Sequence, residues 1–181
     1  MKKKQITVAR IVLIAMFAAM YVVLGLVSIK LPNMKITVDG LPIIVGALLL
    51  GPLDGLLIGA LGSLIAQMLG YGLSVTTLLW MIPVMSRGLL VGWYAKSKHY
   101  DLNYVNTTFI ILITSLVVTT LNTGAMWLDS VNFDYYSKAY VFGNIIWRYA
   151  ASILTGIAYS VVLPPVIKLL QRTKFIQYFK K

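Results

Sequence analysis

The sequence predicts an all-α fold: a polytopic membrane protein whose six transmembrane helices form a single integral membrane domain over residues 1–181. Three observations carry that prediction. Hydrophobic residues fill 59% of the chain and charged residues only 12%, whereas an ordinary soluble domain carries about 25% charged residues. A chain so poor in polar groups cannot cover itself in water. Long apolar runs alternate with short polar stretches, and mean hydropathy is +0.84, the pattern of helices solvated by lipid. The basic residues behind the net charge of +11 gather at the ends of the apolar runs instead of along one face, so they read as topology signals and not as a nucleic-acid surface.

The first run, about 8–27, follows Met1, Lys2, Lys3 and Lys4. At about 20 residues it has full spanning length, where a secretory signal core has about 7 to 15, so it reads as a transmembrane helix. The second run, 41–50, is too short to cross alone unless it continues toward Ile36 or the bilayer is locally thin. Gly51 and Pro52 then break the chain, because proline lacks an amide donor and glycine permits unusual backbone angles. A hairpin into the third run at 53–69 is expected there. Runs at 81–97, 106–126 and 143–170 complete the six. No repeat with a period of about 20 to 50 residues is present, which excludes a solenoid.

Orientation follows from charge. With a cytoplasmic N-terminus and six crossings, the basic clusters at 2–4 and 168–181 fall inside together with Arg10, Lys96 and Lys98, while Lys30, Lys35 and Lys138 fall outside. Cytoplasmic loops carry the excess of lysine and arginine, so both termini are expected in the cytoplasm.

Two cations remain within spans, Arg87 in PVMSRGLLVG and Arg148 in NIIWRYAAS. An arginine at that depth costs about 2.5–3.5 kcal/mol on insertion scales and as a rule faces a bundle interior, a cavity or an acidic partner. The bland alternative is that each snorkels to the outer headgroups. Neighbours at the same depth favour a site. Gln67 and Tyr71 end the third helix, and Trp80 precedes the fourth. Asn122 and Trp127 close the fifth, and Asn144 opens the sixth. Each aromatic alone fits an interfacial belt, but the cluster of amides, indoles and arginines is more telling. All five acids (Asp39, Asp54, Asp101, Asp129, Asp134) are expected in loops or at span ends, so the site should favour an anion.

No enzyme signature is present. His99 is the only histidine, glutamate and cysteine are absent, and no GxxxxGK[ST] phosphate loop occurs. No catalytic residue, metal ligand set or cofactor is expected, and transport by this chain would draw its energy from elsewhere.

The stretch LPIIVGALLLGPLDGLLIGALGSLIAQMLG, the first outer loop SIKLPNMKITVDGLP and the basic N-terminus together resemble the substrate-binding S-components of energy-coupling factor (ECF) vitamin transporters, in particular the folate and pantothenate group. The likeness runs over nearly the whole chain. Gln67 departs from the pattern, since an aspartate is frequent there. The resemblance implies a bacterial cytoplasmic-membrane protein that captures a vitamin from outside. It would release the vitamin inward when coupled to a shared transmembrane T-component and two ABC ATPases. Ala15 and Ala19 match the Ala-xxx-Ala motif with which such proteins dock on the T-component, although small-residue packing within the bundle is the ordinary alternative. The first outer loop, with Pro32 and Gly40 as breakers and Ile36, Val38 and Leu41 as apolar cover, would serve as a lid together with the loop between helices three and four.

Pantothenate is favoured over folate, because a small monocarboxylate needs one strong cation while its hydroxyls and amide suit Asn122, Gln67 and Asn144. Folate would use both arginines, with Trp80, Trp127 and Trp147 as slots for its pterin. A thiamin precursor is a third option. From other classes, a ligand-free membrane scaffold in contact only with lipid and protein, or a self-sufficient channel or secondary transporter, would also fit the hydropathy.

Overall fold

The computed structural model describes residues 8–31, 34–101 and 103–171. Pro32 and the basic clusters at 2–4 and 172–181 lie outside the described residues. The chain runs α1 (Val8–Leu26), β1 (Ile29–Leu31), β2 (Met34–Ile36), α2 (Gly40–Leu50), α3 (Pro52–Gly70), α4 (Thr77–Ser97), α5 (Tyr104–Asn132), α6 (Lys138–Phe142) and α7 (Ile145–Gln171). The six expected helices are α1 to α5 and α7. Two features were not expected: a small antiparallel hairpin that pairs Ile29 with Ile36, and the single turn α6.

Five stretches are long and apolar enough to cross a membrane: α1, α3, α4, α5 and the segment Lys138–Leu170. The sixth helix, α2, has 11 residues, which at 1.5 Å per residue makes it about 16 Å long, roughly half of a hydrocarbon core. It does not continue toward Ile36, where the chain is extended. Instead α2 is the core. Every residue of it except Leu41 is buried, and it packs against α1, α3, α4 and α7. A helix that is hydrophobic all round belongs inside, and its even hydrophobicity follows from being wrapped by other helices.

Glycines set the closest contact, between α3 and α4. A Cβ at Gly88 would lie 2.1 Å from the Gly55 carbonyl oxygen, and one at Gly59 would lie 2.8 Å from that of Val84. The backbones therefore touch, as small residues permit between membrane helices. This accounts for the spacing of Gly55 and Gly59. The turn between α2 and α3 rests on Gly51, whose φ of 111° few other residues adopt.

Near that turn α1 is joined to α3 by a bidentate ion pair. Arg10 Nε donates to both Asp54 oxygens, at 2.9 Å and 2.8 Å, and Nη2 donates to Oδ2 as well. Asp54 is only 3% exposed. Arg10 thus has a structural partner beyond any role in topology. The Tyr100 hydroxyl lies over Gly51 at this same end, and burial together with Asp54 pushes its pKa up, against the opposing effect of Arg10.

Along α1 the buried stripe is Ile14, Phe17, Ala18 and Tyr21. Ala15 and Ala19 lie on the opposite, exposed side of the helix.

Candidate functional site

At the end of the bundle away from Arg10 and Asp54, a cavity of about 760 Å³ opens between the helices. Three of its walls are single helical faces. Trp80, Val84 and Arg87 come from α4, at the i, i+4, i+7 spacing that puts residues on one side. From α5 come Ser115, Thr119, Asn122, Met126 and Asp129, and from α7 come Arg148, Ser152, Thr155 and Tyr159. α5 and α7 carry a polar stripe toward the cavity, whereas α4 presents one cation between apolar and aromatic side chains. Tyr21 of α1, Gln67 of α3, Tyr71 just beyond α3, and Thr37 and Asp39 just ahead of α2 also line it.

Arg87 lies against the start of α2. A Cβ on Gly40 would be 1.8 Å from its Nη1, and the Tyr159 ring would be 3.2 Å from the same point. The absent side chain of Gly40 is what makes room for the guanidinium. Tyr159 donates its hydroxyl to the Thr37 carbonyl at 3.1 Å, which ties α7 to the segment between the hairpin and α2. Thr37 Oγ1 in turn donates to Asp39 Oδ1 at 2.6 Å. Asp39 stands at the N-cap of α2, yet its side chain makes no capping bond.

Arg148 occupies the opposite side. Its Nη1 points at the Met126 sulfur, 3.4 Å away, and a thioether is a weak acceptor. Near it the Tyr135 hydroxyl donates to Asp129 Oδ2, and Tyr135 and Tyr140 meet edge to face at 5.5 Å. Tyr135 lies beyond α5, and burial, reinforced by its bond to Asp129, raises its pKa. Among the described residues, neither Arg87 nor Arg148 has a carboxylate oxygen within salt-bridge distance, 4.0 Å.

Of the eight candidate ligand-binding residues, Arg87, Arg148, Gln67, Tyr71, Trp80 and Asn122 line the cavity, and Trp127 and Asn144 do not. Trp127 follows Met126 by one position, which turns it about 100° around the helix, and it is 44% exposed. Asn144 sits at the start of α7, where its carbonyl accepts from the Arg148 amide at 2.9 Å. In the expected lid, Thr37 and Asp39 face the cavity while Val38 is exposed; the Ile36 side chain lies outside the described residues.

The acids lie in loops or at helix ends, as expected, but two of them, Asp39 and Asp129, line the cavity, so its lining is not the purely cationic one expected. The reason is where the helices end. α5 continues to Asn132, past the expected end at 126, which places Asp129 on the same face as Asn122 and Met126. Asp39 reaches the cavity because α2 starts beside Arg87, below the hairpin. The serines and threonines of α5 and α7 were also missed, although their helical spacing within apolar runs was a usable signal.

Residues 9–167 match the family described as ECF transporter, substrate-specific component. The chain belongs to that family. ECF substrate-specific components are transport proteins and not enzymes, in keeping with the missing catalytic signatures. The fold is similar to that of an S-component for biotin from an ECF-type ABC transporter, with a TM-score of 0.65 over 99% of this chain and 100% of that one. At 18% identity this is a likeness of fold alone. UPF0397 proteins of Streptococcus pneumoniae strains Hungary19A-6 and CGSP14 are 34% identical over 93 residues. The chain spans about half the length of these curated relatives, 50% in each case.

Proposed function

We propose that this ECF substrate-specific component binds pantothenate in the cavity from the outer side of the bacterial cytoplasmic membrane. It releases the vitamin inward when a shared T-component and two ABC ATPases drive it, with both termini cytoplasmic. The observation that carries this reading is the pair of cavity arginines without carboxylate partners, set among hydroxyls and the amides of Gln67 and Asn122. Guanidinium groups that face a cavity with no carboxylate in direct contact are suited to an anionic ligand. Small-molecule sites typically enclose about 300–1,000 Å³, a range that holds the observed 760 Å³.

Pantothenate is favoured over folate because two of the three tryptophans that a pterin would stack on, Trp127 and Trp147, lie outside the cavity lining and are 44% and 69% exposed. The outward position of Ala15 and Ala19 suits docking on the T-component better than packing within the bundle.

Tryptophan fluorescence of the purified chain, titrated with a panel of vitamins, tests the proposal, since Trp80 lines the cavity. Pantothenate should quench at the lowest concentration. If no vitamin binds and mass spectrometry finds no small molecule retained through purification, the chain is a scaffold. If proteoliposomes holding this chain alone accumulate the vitamin, it is a self-sufficient transporter.

A further inference from the structure

The cavity carries more than an anion site. Its charged lining consists of two arginines and, unexpectedly, two aspartates. These four groups are not paired with one another: among the described residues no arginine nitrogen of the cavity comes within 4.0 Å of a carboxylate oxygen. Each aspartate has one oxygen engaged by a hydroxyl, Asp39 Oδ1 by Thr37 and Asp129 Oδ2 by Tyr135. The second oxygen of each has no hydrogen bond among the described residues. All four groups are partly exposed to the cavity, so a solute that fills it and displaces water must offer each a partner of opposite sign or a hydrogen bond. A simple anion would satisfy an arginine and be repelled by both aspartates. A simple cation would meet the reverse.

We infer that Asp39 and Asp129 are specificity-determining residues, and that the cavity takes a solute of mixed polarity. One end is a carboxylate or similar anion held by an arginine. The remainder carries hydroxyl or amide N–H donors directed at the free aspartate oxygens. The inference rests on the proposed function in that it takes this cavity as the binding site, and it deepens that reading by naming the substrate class. The mixed lining rejects two classes, one through the aspartates and one through the arginines. A bare fatty or keto acid leaves the aspartates unpaired, and a neutral polyol leaves the arginines unpaired. Polar groups that a bound solute would cover and leave unpaired discriminate strongly against that solute. Pantothenate belongs to the accepted class, and so does biotin, whose cyclic urea supplies two N–H groups.

Calorimetric titration of the full chain in nanodiscs tests this with five probes: pantothenate, biotin, octanoate (an acid without donors), panthenol (donors without an acid) and thiamin (a cation). The readout is the affinity ratio of the best donor-bearing acid to octanoate, measured in wild type, Asp39→Asn and Asp129→Asn. A general loss of folded protein cancels in that ratio, and either variant alone suffices if the other does not fold. In wild type the ratio should exceed about tenfold, and it should fall by about tenfold in at least one variant, the size expected for a hydrogen bond to a charged group. If biotin replaces pantothenate as the best ligand and the ratio still collapses, the inference holds and the pantothenate reading falls. If pantothenate binds and neither variant changes the ratio, the inference is overturned and the reading stands. Octanoate, panthenol or thiamin binding as tightly as the best donor-bearing acid overturns it too. Absence of binding by all five overturns the inference and the vitamin reading together.

Discussion

An alanine at position 40 puts a methyl group where the Arg87 guanidinium now lies. The added carbon would sit 1.8 Å from Nη1 and 3.0 Å from Cζ. Ordinary van der Waals contact begins near 3.4 Å, so the terminal nitrogen must retreat by about 1.6 Å. The Tyr159 ring, 3.2 Å from the same point, closes one direction of escape. The fold should tolerate the change, because the clash is with the far end of a flexible side chain and alanine favours the helix over glycine by up to about 1 kcal/mol. Binding should not. A two-pronged contact between guanidinium and carboxylate depends on geometry, and losing a hydrogen bond to a charged group costs about 1.5–3 kcal/mol, or about 10- to 150-fold in affinity. Removing the charge altogether in Arg87→Ala should cost about 2–5 kcal/mol, and Arg87→Lys should restore only part of it. Titration of both variants with pantothenate, alongside thermal unfolding in the same detergent, gives the comparison. Wild-type affinity in Gly40→Ala, together with a large loss in Arg87→Ala, would show that Arg87 binds without its seat on α2. Unchanged affinity in both would remove Arg87 from the site.

Ala15→Trp or Ala19→Trp should abolish vitamin uptake by the assembled transporter and leave the affinity of the isolated chain nearly intact, because both alanines point out of the bundle; loss of binding in the isolated variant would count against docking. Asp54→Asn breaks a bidentate pair that is 3% exposed on the acid side, and should destabilise the chain by about 2–4 kcal/mol, read as a lowered unfolding midpoint. Vitamin affinity should hardly move there, since the pair lies at the end of the bundle away from the cavity. In the cysteine-free sequence, a cysteine at Asn106 should resist membrane-impermeant reagents in intact cells and one at Asp134 should react; the reverse pattern would invert the topology.

Hydropathy is a local property, and the long spans that depend on it were legible in the sequence. The five long spans, the break at Gly51 and Pro52, and the convergence of Arg87, Gln67, Trp80, Asn122 and Arg148 all followed from counting residues along helices of known rise. The polar stripes of α5 and α7 were legible in principle, because residues at helical spacing share a face whatever surrounds them. Three outcomes needed the folded chain. Arg10 and Asp54 are 44 positions apart, and nothing local to either says which charge it meets. Whether an apolar run faces lipid or other helices is a matter of its neighbours, so α2 could be recognised as a buried core helix only once α1, α3, α4 and α7 were seen around it. The charge balance of the cavity turned on where helices stop. A few more residues of α5 bring Asp129 into the site, and a hairpin that hands the chain to α2 beside Arg87 brings Asp39 there. Helix ends are decided by tertiary packing and by capping geometry more than by composition, which is why an apparently cationic pocket proved to be one of mixed charge.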